Sequence, residues 1–357
     1  MLTLQTSQRR QAAQLPGAAM GKQPVPAACV AIFVYAIFLI FLECRLFQIR
    51  NTYKVVSHSL WSQRNHVEIL ILGTSHSQLA INPKILLLPA ANVATYSQSL
   101  ELDKQLACKI IPQLPNLKLV ILPVSYFALD YRLCDSGESW RDYYYNYFWG
   151  VSERAPWERL IDPKYWFLTL MYGPNLCRQA FLTDHLLNLA EAESIGDDGW
   201  WSKEPSHATD CSDSYASHRA QFHLNLMHSK YRKGNVDNLL AIADACANKG
   251  IKIAFITTPT MQNYRSYFGK QHIAEVENVI QSIARSKGIV WKDFADDSRF
   301  GKECFLDCDH LNMQGAARFS SILNNEVIKG HFGRSNTASM DSRANLDRLA
   351  AWRRGSN

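Results

Sequence analysis

Five short runs rich in β-branched and apolar residues, separated by longer stretches, constrain this chain more than any other feature. They are residues 67–72 (VEILIL), 92–96 (NVATY), 117–122 (LKLVIL), 251–257 (IKIAFIT) and 289–292 (IVWK). Between them, residues 100–114, 236–248 and 273–287 carry apolar side chains at helical spacing. Strands that alternate with helices are joined by crossovers, which make neighbouring strands parallel. The expected fold is therefore α/β: a three-layer sandwich around a mostly parallel five-stranded sheet, spanning residues 66–330. Gly250 and Gly288 stand where a helix should end before a strand. The interval 131–232 breaks the rhythm and reads as an insertion or cap. Its aromatic residues, Tyr144 and Trp149 among them, suit a core of its own, the stacking of sugar rings, or a membrane interface.

The N-terminal region adds a second constraint. No charge occurs between Gln23 and Leu42, and residues 27–42 are almost wholly apolar. About 20 such residues at ~1.5 Å each span a hydrocarbon core of roughly 30 Å. A cleaved signal peptide would end in small residues, whereas Leu42 is followed by Glu43, Cys44 and Arg45. A lipoprotein would need a small residue before its cysteine, and Glu43 precedes Cys44. Residues 23–43 are thus expected to be a retained single-pass signal anchor. A disordered cytoplasmic tail (1–22) precedes it, and a juxtamembrane helix or stalk (44–65) follows. Arg9, Arg10 and Lys22 lie on one side of the span and Arg45, Arg50 and Lys54 on the other, so charge alone does not orient it. Residues 331–357 read as a flexible basic tail.

Composition narrows the function classes. The net charge of +6 is modest for 357 residues, and basic residues cluster only at the ends, which argues against nucleic acid as a partner. Nine scattered cysteines without a CxxC pair do not form a disulfide framework. His218, His223 and His228 recur every five residues, which would spread them over different faces of a helix. No metal site, phosphate-binding loop or dinucleotide fingerprint is read, and no cofactor is expected.

Two motifs carry chemistry. Gly73-Thr74-Ser75-His76-Ser77 follows the first run, so Ser75 should stand beyond the carboxyl end of a strand, where open α/β sheets bind ligands. A bland alternative is a helix N-cap. Asp307-Cys308-Asp309-His310 lies before the last helical stretch. A histidine there can take a hydroxyl proton through one nitrogen while a carboxylate holds the other N–H. Asp307 is the expected orienter and Asp309 a secondary competitor. His76 is read as an ordinary helix-start residue, and Thr257, Thr258 and Thr260 as a wall of the cleft.

Taken together, the two motifs resemble the SGNH (GDSL) hydrolase superfamily, whose sheet is flavodoxin-like. Its members place Gly-x-Ser after the first strand and Asp-x-x-His before the last helix, and HLNMQGAARFSSIL (310–323) is similar to the family's continuation. The resemblance implies a catalytic triad of Ser75, His310 and Asp307. It also implies two oxyanion blocks, and both depart from the family here. Ser97 stands where a glycine is expected, and the third strand leads into Pro123-Val124-Ser125-Tyr126 with no asparagine. Ser97, Ser125 and Tyr126 are therefore the candidate oxyanion residues, and Tyr144 and Trp149 the candidate sugar-stacking residues. An anchor followed by such a domain is similar in plan to the membrane-tethered proteins of teichoic-acid D-alanylation and exopolysaccharide O-acetylation. That similarity implies an extracytoplasmic O-acyl esterase or acyltransferase at the cytoplasmic (inner) membrane. Its partners would be the membrane, a cell-envelope polysaccharide or acyl donor, and, as one option, a membrane-bound acyltransferase. The alternative is a catalytically silent glycan-binding or scaffold protein.

Overall fold

A computed structural model describes residues 26–182, 194–201 and 210–332. The expected tails at 1–22 and beyond 332, and the first three residues of the expected anchor, lie outside the described residues. Five strands, β1 (Ile69–Ile71), β2 (Ala90–Asn92), β3 (Leu119–Pro123), β4 (Lys252–Ile256) and β5 (Val290–Lys292), form one sheet in the order β2-β1-β3-β4-β5. Every pairing is parallel, with Leu70 opposite Ala91 and Val120, and Ala254 opposite Ile121 and Val290. The order reverses between β1 and β3, which opens a crevice at their carboxyl ends.

Helices α1 (Ala27–Phe47), α2 (Thr52–Ser62), α3 (Ser75–Ala80), α4 (Leu100–Ile110), α5 (Arg141–Trp149) and α6 (Pro156–Ile161) lie in the first half of the chain. They are followed by α7 (Leu168–Leu182), α8 (Asp213–Leu226), α9 (Arg232–Ala247), α10 (Gln262–Arg265), α11 (Lys270–Lys287) and α12 (Met313–Leu323). Alternation along the strands sorts the core onto two faces. Leu70, Val120, Ile253 and Phe255 pack with Leu106 of α4, Leu239 of α9 and Ile280 of α11. Ile69, Ile71, Leu119, Ile121, Ala254 and Ile256 pack with Phe319 and Leu323 of α12. The three-layer α/β sandwich expected from the sequence is the observed fold.

Two expectations shift. The second strand was placed at 92–96 but ends at Asn92, because that side chain turns the chain there. Asn92 Nδ2 donates to the Ser77 and Ile81 carbonyls, and Asn92 Oδ1 accepts the Ala94 N–H. The expected stalk is also largely built into the domain: Tyr53, Val56 and Leu60 of α2 are buried in the main core. Helix α1 has 21 residues and a mean hydropathy of 2.5 over its most apolar window, long and apolar enough to cross a membrane. Among the described residues its C-terminal part is packed against α7, with Leu42 and Leu46 against Leu168 and Ala180 and Phe38 edge-on to Phe181.

Candidate active site

The turn between β1 and α3 is held by three neighbours. Gly73 has φ +109°, a conformation open to glycine, and an added Cβ would come within 2.3 Å of Ser77 Oγ. Its N–H donates to the buried Asp103 carboxylate at 2.8 Å. Thr74 caps α3, its hydroxyl accepting the His76 N–H. Ser75, the first residue of α3, is thereby fixed at the carboxyl edge of the sheet. Burial pushes the Asp103 carboxyl up to about 7.

The second motif is a pinched loop. Phe305 bridges Leu311, and the Leu306 N–H donates to the His310 carbonyl. Asp307 Oδ1 accepts the backbone N–H groups of Asp309 and His310. Asn312 then caps α12 by accepting the Gly315 N–H. A Cβ on Gly315 would sit 2.1 Å from the Cys304 carbonyl oxygen, so a bare glycine lets α12 approach this loop.

Residues 235 positions apart meet here. His310 Nε2 lies 2.8 Å from Ser75 Oγ, and His310 Nδ1 lies 3.0 Å from Asp307 Oδ2. An ionised Asp307 accepts only, so Nδ1 carries the proton and Nε2 accepts from the serine hydroxyl. Burial disfavours the imidazolium, but the Asp307 and Asp309 carboxylates outweigh it and raise the His310 pKa. Asp309 Oδ1 stands farther from His310 Nδ1, at 3.6 Å, and serves other partners. Both Asp309 oxygens accept from Arg219 Nε of α8, and Oδ2 meets His76 Nε2 at 3.1 Å.

Ser75 and His310 open on a cavity of about 230 Å³ whose walls include Tyr96, Ser97, Phe127, Tyr131, Tyr215 and Phe222. Ser97 has φ +58°, in the left-handed region that favours glycine. Its N–H has no hydrogen-bond partner among the described residues, while its hydroxyl donates to Glu138. Ser125 and Tyr126 do not line this cavity. They line a different cleft together with His76, and Ser125 Oγ meets His76 Nδ1 at 2.9 Å.

Tyr144 and Trp149 are not brought to the cavity either. They are 7% and 2% exposed, and Tyr144 stacks on Tyr53 at 5.2 Å, so neither ring face is open to a sugar. The same helix, α5, supports the site in another way. The Tyr145 hydroxyl donates to Gln98, Gln98 donates to Asp103, and Asp103 holds the Gly73 N–H. Helix α8 contributes Arg219 and His223, one turn apart on a single face. His223 is buried against Phe127 with ring centroids 4.4 Å apart, while His218 and His228 are exposed, so the three histidines do not converge. Sequence reasoning missed Arg219; its only local signal was the i, i+4 pairing with His223.

Donor atoms of His76, Asp309 and His310 lie within 4.8 Å of one another, a spacing that could hold a metal ion. Each is already engaged in the hydrogen bonds above. All nine cysteines are free.

The fold and site define an α/β protein carrying a Ser–His–Asp array at the carboxyl edge of its sheet. No family model and no curated protein matches the chain. Among solved structures it is similar to a protein provisionally assigned as an acylhydrolase from Bacteroides fragilis. The TM-score is 0.36 and the identity 9%, over 74% of this chain and 88% of that one. It is also similar to a protein provisionally assigned as a platelet activating factor from Streptococcus pneumonia, with a TM-score of 0.36 and 11% identity over 83% of this chain and 98% of that one. Both likenesses are loose, and nothing about activity follows from them.

Proposed function

We propose that this chain is a membrane-anchored serine O-acyl esterase or acyltransferase of the SGNH type, acting on a cell-envelope polysaccharide through an ester on Ser75. The observation that carries the proposal is the 2.8 Å approach of Ser75 Oγ to His310 Nε2, with Asp307 on the other nitrogen. In the acylation step His310 takes the Ser75 proton as Oγ bonds the acyl carbon, and Asp307 stabilises the imidazolium. The proton then passes to the leaving oxygen. Water or a sugar hydroxyl, deprotonated by the same nitrogen, releases the acyl group. The N–H of Ser97 and that of Ser75 are the donors for the oxyanion. Tyr96, Tyr215 and Phe222 in the cavity wall replace Tyr144 and Trp149 as surfaces for a sugar ring.

The same proposal makes α1 a membrane span with the catalytic domain outside the cytoplasmic membrane. Trp157, Leu160, Ile161, Trp166 and Phe167 are all more than half exposed, interleaved with Arg159 and Lys164. This stretch leads into Leu168 and Thr169, whose N–H groups donate to Glu43 at the foot of α1. Apolar side chains rimmed by cations beside a spanning helix suit the headgroup region of a bilayer.

The test is labelling of the full-length protein with a serine-reactive fluorophosphonate. Labelling that a Ser75→Ala variant loses supports the proposal. A folded, unlabelled parent favours the silent glycan-binding reading, which Pro123-Val124-Ser125 in place of an asparagine after β3 also supports.

A further inference from the structure

A second hydroxyl–imidazole–carboxylate array lies beside the first and shares none of its three residues. His76 is buried between Ser125 and Asp309, with Nδ1 2.9 Å from Ser125 Oγ and Nε2 3.1 Å from Asp309 Oδ2. The polarity of this chain follows from its charged end. Asp309 is held ionised: although burial opposes its charge, His310 and the Arg219 guanidinium pull its pKa well below the usual range. An ionised carboxylate only accepts, so His76 Nε2 carries the proton. Burial keeps the ring neutral, which leaves Nδ1 as an acceptor for the Ser125 O–H. That is the proton arrangement of an activated nucleophile.

The surroundings of Ser125 also suit acyl chemistry. It sits just past β3, at the carboxyl edge of the sheet, and its carbonyl closes a turn by accepting the Ala128 N–H. The Tyr126 and Phe127 N–H groups in that turn have no partner among the described residues. Ser125 is partly exposed and opens on a cleft walled by Thr257, Thr258, Thr260 and Tyr264. The Thr260 hydroxyl is buried there with no hydrogen-bond partner. Open space in the cleft is about 10 Å³, roughly that of one water molecule.

We propose that Ser125, His76 and Asp309 form a second acyl-accepting site for a small activated ester that arrives from the exposed side of Ser125, the water-sized space of the cleft receiving its carbonyl oxygen. Ser125 Oγ bonds the acyl carbon while its proton moves to His76 Nδ1. The bond from that carbon to the donor's leaving oxygen breaks, and His76 returns the proton to that oxygen. The Thr260 hydroxyl and the free N–H groups of the turn receive the carbonyl oxygen. The acyl chain stays on the exposed side of Ser125, whereas the 230 Å³ cavity at Ser75 can enclose one. This inference does not depend on Ser75 being reactive.

The experiment uses full-length Ser75→Ala protein in detergent micelles with 4-nitrophenyl acetate as the probe, read by intact mass and peptide sequencing. One acetyl group should appear on Ser125, on the order of 100-fold faster than on any other serine of the same molecule. The Ser75→Ala/Ser125→Ala protein should lose it. A His76→Asn change in the Ser75→Ala background, judged only if it keeps the parent's melting transition, should slow it by a similar factor. No acetyl on Ser125, or a rate no greater than at other serines, overturns the proposal. So does a folded His76→Asn protein that labels as fast as its parent. Because Ser75 is absent throughout, failure here is separable from failure of the fluorophosphonate test.

Discussion

Replacing Gly73 by alanine should damage both stability and reactivity, by an amount the structure divides into two parts. The first is conformational: at φ +109° an L side chain costs about 1–3 kcal/mol. The second is steric. The new Cβ would lie 2.3 Å from Ser77 Oγ and 3.3 Å from Ser77 Cβ, and Ser77 is fully buried. Overpacking of this kind costs about 1–3 kcal/mol. The total, about 2–6 kcal/mol, corresponds to a drop in Tm of at least ~4 °C for a domain of this size. The Ser77 hydroxyl has no hydrogen-bond partner, so Ser77→Ala alone should be neutral or slightly stabilising. Combined with Gly73→Ala, it should recover most of the steric part and none of the conformational part. Thermal melting of the four proteins in detergent gives the coupling directly, and fluorophosphonate labelling of Ser75 reports displacement of the turn. A Gly73→Ala cost below ~1 kcal/mol would refute the reasoning, as would a double variant no more stable than Gly73→Ala.

Three further predictions follow from the site. Asp307→Asn should lower the rate of Ser75 acylation by about 10⁴-fold, because the amide favours the wrong imidazole tautomer. Stopped acyl-enzyme assays would show it, and a loss under tenfold would count against the triad. The raised His310 pKa means that acylation of Ser75 should increase with pH through a midpoint above the ordinary 6.5. The linked stability is fully present below 6.5 and lost as pH rises through the folded-state value, which urea melts across that range would measure. Asp103 has a folded-state pKa raised from 3.8 to about 7, so the folded protein binds the extra proton between these values. Stability from this group should fall as pH rises from about 4 to about 7, by up to ~1.4 kcal/mol per pH unit. Asp103→Asn, which keeps an acceptor for the Gly73 N–H, should flatten that slope.

Much of this molecule was legible locally. Strand period, helical spacing and glycine positions placed four of the five strands and the helices that flank them, because each signal lies within a few residues of the element it specifies, whereas the second strand lies two residues earlier than its apolar run. The charge-free run ending at Leu42 likewise needed no tertiary information to mark a helix of spanning length. The Gly73–Ser75 turn and the Asp307–His310 loop were readable because each makes most of its own hydrogen bonds. Only folding decided what met what. His76 looked like a helix-start residue, but it reaches Asp309, 233 positions away, and Ser125, 49 positions away. Tyr144 and Trp149 looked available for sugars, yet α2 and α5 bury them together, since large aromatic rings gain most by leaving water. Trp157 and Trp166, from the same aromatic interval, remain outside beside α1. Both pairs are large aromatics; the tertiary path of residues 131–182 determined which rings had a partner to pack against.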